Sequence, residues 1–402
     1  MIESSDARRV VITGLGVLAP CGLGLPAFWK GLGEAAEPQV LRRIADFDPE
    51  QHGVARTEAR RLDRFAQFAL GAAREAIGDA GLAVSPEGGI EGIDPERAGV
   101  LIGSGIGGAL SWEQQALVRA DKGDRAVSPF TVPMVMPNAA SAAVSMRWRL
   151  YGPCETVATS CATGTHAVAN AARWIAAGRC DIALAGGAEA CLTDTNVAGF
   201  TNMRALSRSG ISRPFDVDRD GFCASEGAGV LVLEEAGHAA RRGARIYAEV
   251  AGSASTADGY HITAPAPGGR GALACMRLAL RDAGVEPRSV THVNAHGTST
   301  PLNDATEALV IGELFGDQRP AVTAIKGVTG HSLGAAGAIE AVALALTFHH
   351  RTLPPTMGTA SVDPGCDIDL VLQPRPWTPG PAMSNSFGFG GLNGSVVFVP
   401  VP

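Results

Sequence analysis

Residues 156–177, TVATSCATGTHAVANAARWIAA, hold the pattern that decides the fold. Residues 156–159 have the composition of a short strand, and residues 165–177 have the pattern of a helix. That helix is small and apolar on most of its faces, which is typical of a helix buried in a protein interior. The stretch therefore predicts a strand that runs directly into a buried helix, with Cys161 at the turn between them.

Short apolar strands and helices alternate over the rest of the chain. Continuous apolar runs of four or five residues indicate strands buried on both faces. Between several of these runs lie helical patterns, such as residues 65–80. This alternation predicts an α/β fold built in layers. The remaining strands are predicted at residues 10–13, 99–102, 182–185, 229–233, 322–325 and 396–399.

The chain contains an internal repeat. FALGAAREAIGDAGL, followed by AGVLIGSG, is similar in layout to ALACMRLALRDAGVEPRS, followed by VTHVNAHGTST. SCATGTHAVANAARWIAAGR is similar in the same way to HSLGAAGAIEAVALALTFHHR. Alanine-rich helices often follow strands, so chance similarity is the alternative explanation. A duplication predicts two related halves, residues 1–243 and 244–402, that meet near residues 235–248.

Composition narrows the class of protein. Of the 402 residues, 46% are hydrophobic and 18% charged, as in a globular protein with a large core. The net charge of -7 argues against nucleic acid as the main partner. The eight cysteines form no CxxC pair, which argues against zinc knuckles and favours free thiols in a reducing cytoplasm. We expect neither a signal peptide nor a membrane span.

Cys161 has two interpretations from its position alone. A cysteine at a helix N-terminus faces unpaired N–H groups and the positive end of the helix dipole, which favour a thiolate nucleophile. A buried structural cysteine is the equally good alternative.

A second group of polar residues lies in the C-terminal half. His296 stands at the mouth of a predicted strand, and His331 opens an apolar helix five residues after Lys326. A lysine in the interior needs a carboxylate partner, and either Glu340 or Asp304 could serve. For His296, a hydrogen-bonded core residue is the alternative.

Three glycine-rich stretches allow further interpretations. Residues 385–395, NSFGFGGLNGS, could bind phosphate, form an oxyanion hole or make a tight turn. Residues 330–334, GHSLG, match the nucleophile elbow of α/β-hydrolases, but no acid and then histidine follow in the required order. Residues 103–108, GSGIGG, lack the full spacing of a dinucleotide loop.

Four motifs taken together resemble one family. SCATGTH, HVNAHGTSTPLND, KGVTGHSLGAAGAIE and NSFGFGGLNGS are similar, in this order, to motifs of the elongating β-ketoacyl-(acyl carrier protein) synthases. The resemblance extends over almost the whole chain. It implies a thiolase-like α/β fold, a duplicated five-layer αβαβα core, and the Cys-His-His class of active site.

The resemblance implies an activity and a role for each site residue. The activity is condensation of an acyl thioester with malonyl thioester, with loss of CO2. Cys161 would accept the acyl group, His296 and His331 would bind the malonyl carbonyl, and Lys326 would organise the site. Glu340 would pair with Lys326, and the backbone N–H groups of Cys161 and Phe389 would form the oxyanion hole. Phe389 would also gate the acyl pocket, with Phe387 behind it. Ile106 and Thr131 would line that pocket.

The family also implies partners. The substrates would be carried on the phosphopantetheine of an acyl carrier protein, and no metal or organic cofactor would be required. Arg60, Arg61, Arg125 and Arg204 align with carrier-contacting positions, although ordinary solvated arginines are the alternative. Leu392 and Thr131 depart from the fatty-acid pattern, so two alternatives stay open: a homodimer, or the catalytic subunit of a type II polyketide or polyene synthase paired with a chain-length factor.

Overall fold

The computed structural model describes residues 8–401. The strands are β1 (Val10–Ala19), β2 (Gly22–Leu23), β3 (Leu41–Arg42), β4 (Ala98–Gly103), β5 (Cys154–Glu155), β6 (Ile182–Glu189), β7 (Ala224–Ser225), β8 (Gly227–Glu235), β9 (Ala248–Ala257), β10 (His292–Asn294), β11 (Ala321–Thr323), β12 (Thr352–Leu353), β13 (Asp369–Leu370), β14 (Arg375–Pro376), β15 (Ala382–Gly388) and β16 (Leu392–Val399). The helices are α1 (Leu25–Gly31), α2 (Arg56–Ala59), α3 (Arg64–Asp79), α4 (Ala109–Lys122), α5 (Thr131–Val135), α6 (Ala139–Trp148), α7 (Thr163–Ala176), α8 (Asp194–Asn202), α9 (Ala236–Arg241), α10 (Arg270–Asp282), α11 (Pro301–Phe315), α12 (Lys326–Thr329) and α13 (Ala336–His350).

Twelve strands form one mixed sheet in the order β13-β11-β10-β15-β16-β9-β1-β8-β6-β4-β5, with β2 paired to β1. The five strands from β1 to β5 in this order belong to the first half of the chain, and the six from β13 to β9 belong to the second. The halves meet where β1 pairs with β9, at Val11 opposite Glu249 and Ile12 opposite Ala248. The predicted boundary after residue 243 lies between α9 and β9 and stays a prediction.

The core is arranged in five layers. Helices α7 and α13 pack between the strands of the two halves, and their apolar side chains share one core with β1, β8, β9 and β16. On one outer side α3 and α6 cover the first half, and on the other α10 and α11 cover the second. This is the thiolase-like αβαβα arrangement that the motifs imply.

The internal repeat is structural. The carboxylate of Asp79, at the end of α3, accepts a hydrogen bond from the Leu15 N–H of β1 at 2.9 Å. The carboxylate of Asp282, at the end of α10, accepts one from the Ser253 N–H of β9 at 2.8 Å. Equivalent aspartates of the two DAG sequences thus anchor equivalent strands, as a duplication predicts.

One predicted strand is wrong. The pairing of β5 with β4 ends at Glu155, and residues 156–159 are irregular. Side-chain hydroxyls take the place of a further strand residue, because Thr156 Oγ1 donates to the carbonyl of Ile102 and Ser141 Oγ accepts from its N–H. The other predicted strands, and the helices predicted at residues 65–80 and 165–177, are present with shifted ends. The strand predicted at 322–325 ends at Thr323, shortly before α12 begins.

The stretch Leu333–His350 is apolar and long enough to cross a membrane. However, 89% of it is buried inside the protein. Helix α13 occupies this stretch and lies in the central layer. Its apolar composition is therefore explained by the core.

Helices α7 and α13 cross at two glycines. A Cβ atom at Gly164 would overlap the backbone nitrogen of Ala338, and one at Gly337 would overlap Thr165. Each helix thus presents a glycine to the backbone of the other. The N-termini of both helices approach closely because neither glycine has a side chain.

We expect Gly337→Ala to destabilise the protein by about 1–3 kcal/mol, because the added methyl group must push the two helices apart. Gly312→Ala, in α11 with open space around it, is the matched control and should stabilise by about 0.4–1 kcal/mol. Urea unfolding of the three proteins measures both effects. Equal stability of Gly337→Ala and the parent protein would show that the crossing tolerates a side chain.

Candidate active site

Cys161 lies at the start of the central helix α7. Residues Ser160–Ala162 form a short 3-10 helix that leads into α7, and Ser160 has a φ of 51°. The Thr163 hydroxyl accepts from the Thr159 N–H at 2.8 Å and donates to the Ser160 carbonyl at 2.7 Å. This local network holds the strained turn and places the buried Cys161 thiol at the α7 N-terminus.

His331 reaches the thiol from the other half of the chain. Its backbone N–H donates to the Cys223 carbonyl at 2.7 Å, so the residue is attached to the strand region around β7. Its Nε2 atom lies 3.0 Å from Cys161 Sγ. The Nδ1 atom is buried and has no partner within residues 8–401. The helix crossing therefore brings together two side chains that are 170 residues apart in sequence.

Lys326 joins His296 to Glu340. Its Nζ donates to the His296 carbonyl at 2.6 Å, lies 3.2 Å from His296 Nδ1, and forms a buried ion pair with the Glu340 carboxylate. The three N–H donors of the ammonium group are thus all used. Because Lys326 donates to Nδ1, the proton of the neutral His296 ring lies on Nε2. That Nε2 atom is buried and has no partner among the described residues, so it is free to donate to a substrate oxygen.

Glu340, and not Asp304, is the carboxylate partner of Lys326. The Asp304 carboxylate accepts from the Phe215 N–H at 2.8 Å and the Ser299 N–H at 3.1 Å. It thus fixes the loop that follows His296 and makes no contact with the ammonium group. The sequence left this choice open because both acids follow a histidine at similar spacing.

Two buried glutamates that the sequence analysis missed hold the loops of the site. Glu307 accepts from the N–H groups of His296 and Gly297, both at 2.8 Å. Glu189, at the end of β6, accepts from the Gly105 N–H at 2.7 Å and the Gly334 N–H at 3.0 Å. Glu189 therefore connects loops from both halves. The position of Glu189 at the end of a predicted apolar strand is the sequence feature that would have identified it as a candidate.

The glycine-rich loop covers the thiol. The backbone N–H of Phe389 lies close enough to the Cys161 sulfur to lower the pKa of the thiol. The Phe387 ring packs edge-on against the His296 ring, with 6.1 Å between centroids. Residues 385–395 thus place a backbone N–H group next to the Cys161 thiol.

Burial dominates the electrostatics. It raises the pKa of the Cys161 thiol to about 11, although the Phe389 N–H and the Lys326 charge lower it. Burial, together with the Lys326 charge, holds the pKa of both His296 and His331 well below the usual value. The resting site therefore contains a thiol and two neutral imidazoles. The sequence-based expectation that the helix dipole favours a thiolate is outweighed by desolvation.

The three donor atoms of Cys161, His296 and His331 lie within 4.8 Å of one another, a spacing that could suit a metal ion. A metal would need a lone pair on His296 Nε2. Lys326 keeps the ring proton on that atom through its contact with Nδ1. The arrangement therefore fits hydrogen-bond donation and does not fit metal binding.

A cavity of about 360 Å³ leads to the thiol. Its wall includes Cys161, His296, His331, Phe389 and, at the exposed rim, Arg204. Neither Ile106 nor Thr131 lines it: Ile106 is 41% exposed, and Thr131 is buried at the start of α5. Arg60, Arg61 and Arg125 are exposed outside the cavity, and the Arg61 guanidinium lies 5.0 Å from the centre of the Phe130 ring.

Comparison with known proteins agrees with this geometry. The family models "Beta-ketoacyl synthase, N-terminal domain" and "Beta-ketoacyl synthase, C-terminal domain" match residues 33–239 and 247–360. The chain belongs to the β-ketoacyl synthase family. It is 42% identical to a 3-oxoacyl-[acyl-carrier-protein] synthase 2 of Synechocystis sp. over 98% of both chains, and 42% identical to one of Staphylococcus aureus over 98% and 99%.

Solved structures of β-ketoacyl synthases have the same fold. The ishigamide ketosynthase/chain length factor superimposes with a TM-score of 0.90 at 32% identity, over 98% of this chain and 100% of that one. A β-ketoacyl synthase from Burkholderia phymatum gives 0.88 at 33%, with the same coverage. A type II polyketide ketosynthase bound to its acyl-carrier protein gives 0.88 at 32%, again with that coverage.

We expect Cys161 to react slowly with iodoacetamide near neutral pH, because its raised pKa leaves little thiolate. The rate constant should rise about tenfold for each pH unit between 7 and 9. Mass spectrometry of the Cys161 peptide measures it separately from the other cysteines. A rate that is already constant above pH 7 would show instead a thiolate stabilised at the helix N-terminus.

Proposed function

We propose that Cys161 accepts an acyl group from an acyl carrier protein and that the enzyme condenses it with malonyl carrier, giving β-ketoacyl carrier and CO2. The observation that supports this most directly is the meeting of three groups at one sulfur atom. Nε2 of His331 lies 3.0 Å from Sγ, and the Phe389 N–H lies close enough to lower the pKa of the thiol. Nucleophile, proton acceptor and oxyanion donor are thus adjacent.

Acyl transfer proceeds by thioester exchange. The Cys161 sulfur attacks the acyl carbonyl while its proton moves to Nε2 of His331. The Phe389 and Cys161 N–H groups stabilise the negative oxygen of the tetrahedral intermediate. The carrier thiolate then leaves and takes the proton from His331, so the imidazole becomes neutral again. One C–S bond forms at Cys161 as the C–S bond to the carrier breaks, and the proton lost by the Cys161 thiol ends on the carrier thiol.

Decarboxylation uses the free donor of His296. Its Nε2–H can donate to the thioester oxygen of malonyl carrier, where negative charge develops as CO2 leaves. The resulting enolate carbon attacks the acyl-Cys161 carbonyl as the C–S bond breaks, and the released Cys161 thiolate takes up one proton from solvent to restore the resting thiol. One preorganised donor of this kind contributes roughly 3 kcal/mol to the transition state. A neutral imidazole suits this role because it still carries one N–H, and burial keeps both rings in the neutral form.

The substrates arrive on the phosphopantetheine of the carrier, in the cytoplasm, and the chemistry needs no metal or organic cofactor. We infer that the carrier docks near Arg204 at the cavity rim and on the exposed Arg60, Arg61 and Arg125. An acidic carrier surface would complement these charges.

A homologous subunit covers part of the surface in this proposal. Strand β5 is the edge of the large sheet, and large apolar side chains are exposed nearby on the α4–α6 segment. Trp112 is 62% exposed, Val132 69% and Met146 73%. Exposed apolar patches of this kind typically mark protein interfaces. A second copy of the chain would cover the patch in a homodimer.

The alternative is the catalytic subunit of a type II polyketide or polyene synthase. The structural similarity to the ishigamide ketosynthase/chain length factor favours it, together with Leu392 and Thr131 at positions that depart from the fatty-acid pattern. In that case a chain-length factor would cover the apolar patch.

The purified chain, treated with a medium-chain acyl carrier, should carry an acyl adduct on Cys161, and malonyl carrier should then yield β-ketoacyl carrier. Intact-protein mass spectrometry measures both steps. His296→Ala is the matched variant: it should keep the adduct and lose roughly 10²–10³-fold in decarboxylation rate, because it removes one donor.

Each outcome of this experiment separates the proposals. An adduct and a product from the chain alone would support a self-sufficient homodimer. An adduct with product formed only after a chain-length factor is added would support the polyketide alternative. No adduct on Cys161 from any acyl donor would contradict the proposed function.

Charge reversal of Arg60 and Arg61 to Glu should raise KM for carrier-bound substrate by about fivefold, the equivalent of roughly 1 kcal/mol of lost attraction. KM for a short pantetheine thioester should not change, because that substrate lacks the carrier surface. Arg288→Glu, at an exposed site in the other half, is the control. Equal changes for both substrates would contradict a role in docking.

A further inference from the structure

His166 is a buried histidine that the proposed reaction does not use. It ends the motif SCATGTH, lies on α7 and is 6% exposed. Its Nδ1 atom lies 2.8 Å from the Thr159 hydroxyl, and its Nε2 atom lies 3.1 Å from the Asn393 carbonyl oxygen. The ring therefore joins the turn that precedes Cys161 to the far end of the glycine-rich loop.

The two partners of the ring fix the position of its proton. Burial, opposed only in part by the bond to Asn393, lowers the pKa of His166, so the ring is neutral and carries one N–H. A carbonyl oxygen can only accept, so this N–H lies on Nε2 and donates to Asn393. Nδ1 then accepts from the Thr159 hydroxyl. Both ring nitrogens are thus used for contacts within the protein.

The turn inside the glycine-rich loop has a conformation that needs support from its neighbours. Gly390 and Gly391 have positive φ values of 81° and 69°, in a region where glycine is conformationally free. The Gly390 N–H donates to the Ile262 carbonyl, and the Asp258 N–H donates to the Gly391 carbonyl, both at 2.8 Å. These two contacts come from a surface segment, and surface segments are typically more mobile than the core.

Helix α7 holds both ends of the loop from the core. Thr165 Oγ1 lies 2.8 Å from Ser386 Oγ at the start of the loop, and the next residue of the helix donates to Asn393 at its end. Between these ends Gly388 lies against the nucleophile turn, where an added Cβ atom would be 3.0 Å from the Cys161 nitrogen. The helix that follows the nucleophile therefore also sets the position of the loop above it.

We propose that His166 is a positioning residue, which holds the glycine-rich loop so that the Phe389 N–H stays beside Cys161 during acyl transfer. This role rests on the proposed function, in which that N–H stabilises the negative oxygen of the tetrahedral intermediate. Such a donor must be in place before the reaction, because a misplacement of about 1 Å can cost roughly 10²-fold in rate. His166 does not line the active-site cavity, so it acts through the loop.

Two substitutions separate the bond to the loop from the presence of a polar side chain. In His166→Gln the amide nitrogen can take the place of Nε2 and still donate to Asn393. In His166→Asn the shorter side chain can accept from Thr159 but does not reach Asn393. We therefore expect His166→Asn to lose the hold on the loop and His166→Gln to keep it.

The test is single-turnover acylation of Cys161 by a short pantetheine thioester, measured by intact-protein mass spectrometry. His166→Asn should lower the maximal acylation rate roughly 10–100-fold. The thioester concentration that gives half of this rate should not change, because the donor acts in the transition state and not in binding. His166→Gln should stay within about threefold of the parent protein.

Hydrogen exchange gives a second measurement that does not depend on activity. The backbone amides of residues 388–393 should exchange faster in His166→Asn than in the parent protein, with α3 unchanged. Equal slowing of acylation in both variants, with faster exchange throughout the chain, would show that His166 is only a core residue and would overturn the proposal. Unchanged acylation in His166→Asn would overturn it as well.

Failure of the proposed function gives a different result. A parent protein that no thioester acylates at Cys161 would contradict the proposed acyl transfer. Exchange of residues 388–393 in the two variants would still decide whether His166 holds the loop.

Discussion

The close crossing of α7 and α13 is the constraint on which the active site depends. Gly164 and Gly337 let the two helix backbones meet without intervening side chains. Cys161 precedes α7 and His331 precedes α13, so the crossing fixes the distance between thiol and imidazole. The same helices form the central layer between the two halves of the sheet. Fold and chemistry therefore share one contact, and a change in helix spacing would alter both.

Around that crossing the protein keeps several ionisable groups in an apolar interior. Burial raises the pKa of Glu189, Glu307 and Glu340 to about 7. Each accepts hydrogen bonds from the backbone or from Lys326, which offsets part of the cost of desolvation. These contacts rigidify the loops that carry the reacting groups. Burial and the nearby Lys326 charge both disfavour protonation of His296 and His331, so the two rings stay neutral, while Glu340 offsets the cost of burying the ammonium group.

The duplication gives the two halves different tasks. In the proposed reaction the first half supplies the nucleophile, and the second supplies both histidines, the lysine and the glycine-rich loop. Related turns open α7 and α13: a 3-10 helix precedes each, and Ser160 and Leu333 both have positive φ. Cys161 follows Ser160 in the first turn, and Gly334 follows Leu333 at the equivalent position of the second turn. The N–H of Gly334 donates to the Glu189 carboxylate. One copy of the motif thus performs chemistry while the other supports it.

The sequence by itself determined the layered α/β architecture, the repeat, and the candidate site residues that the structure brings together. Apolar periodicity and the order of the motifs can be read from the sequence without knowing which residues are in contact. Tertiary structure alone decided that Glu340 rather than Asp304 pairs with Lys326, that residues 156–159 leave the sheet, and that burial keeps Cys161 a thiol. The roles of Glu189 and Glu307 also emerged only from the structure. Pairing, desolvation and loop support depend on distances between residues far apart in the chain, and residue spacing does not encode those distances.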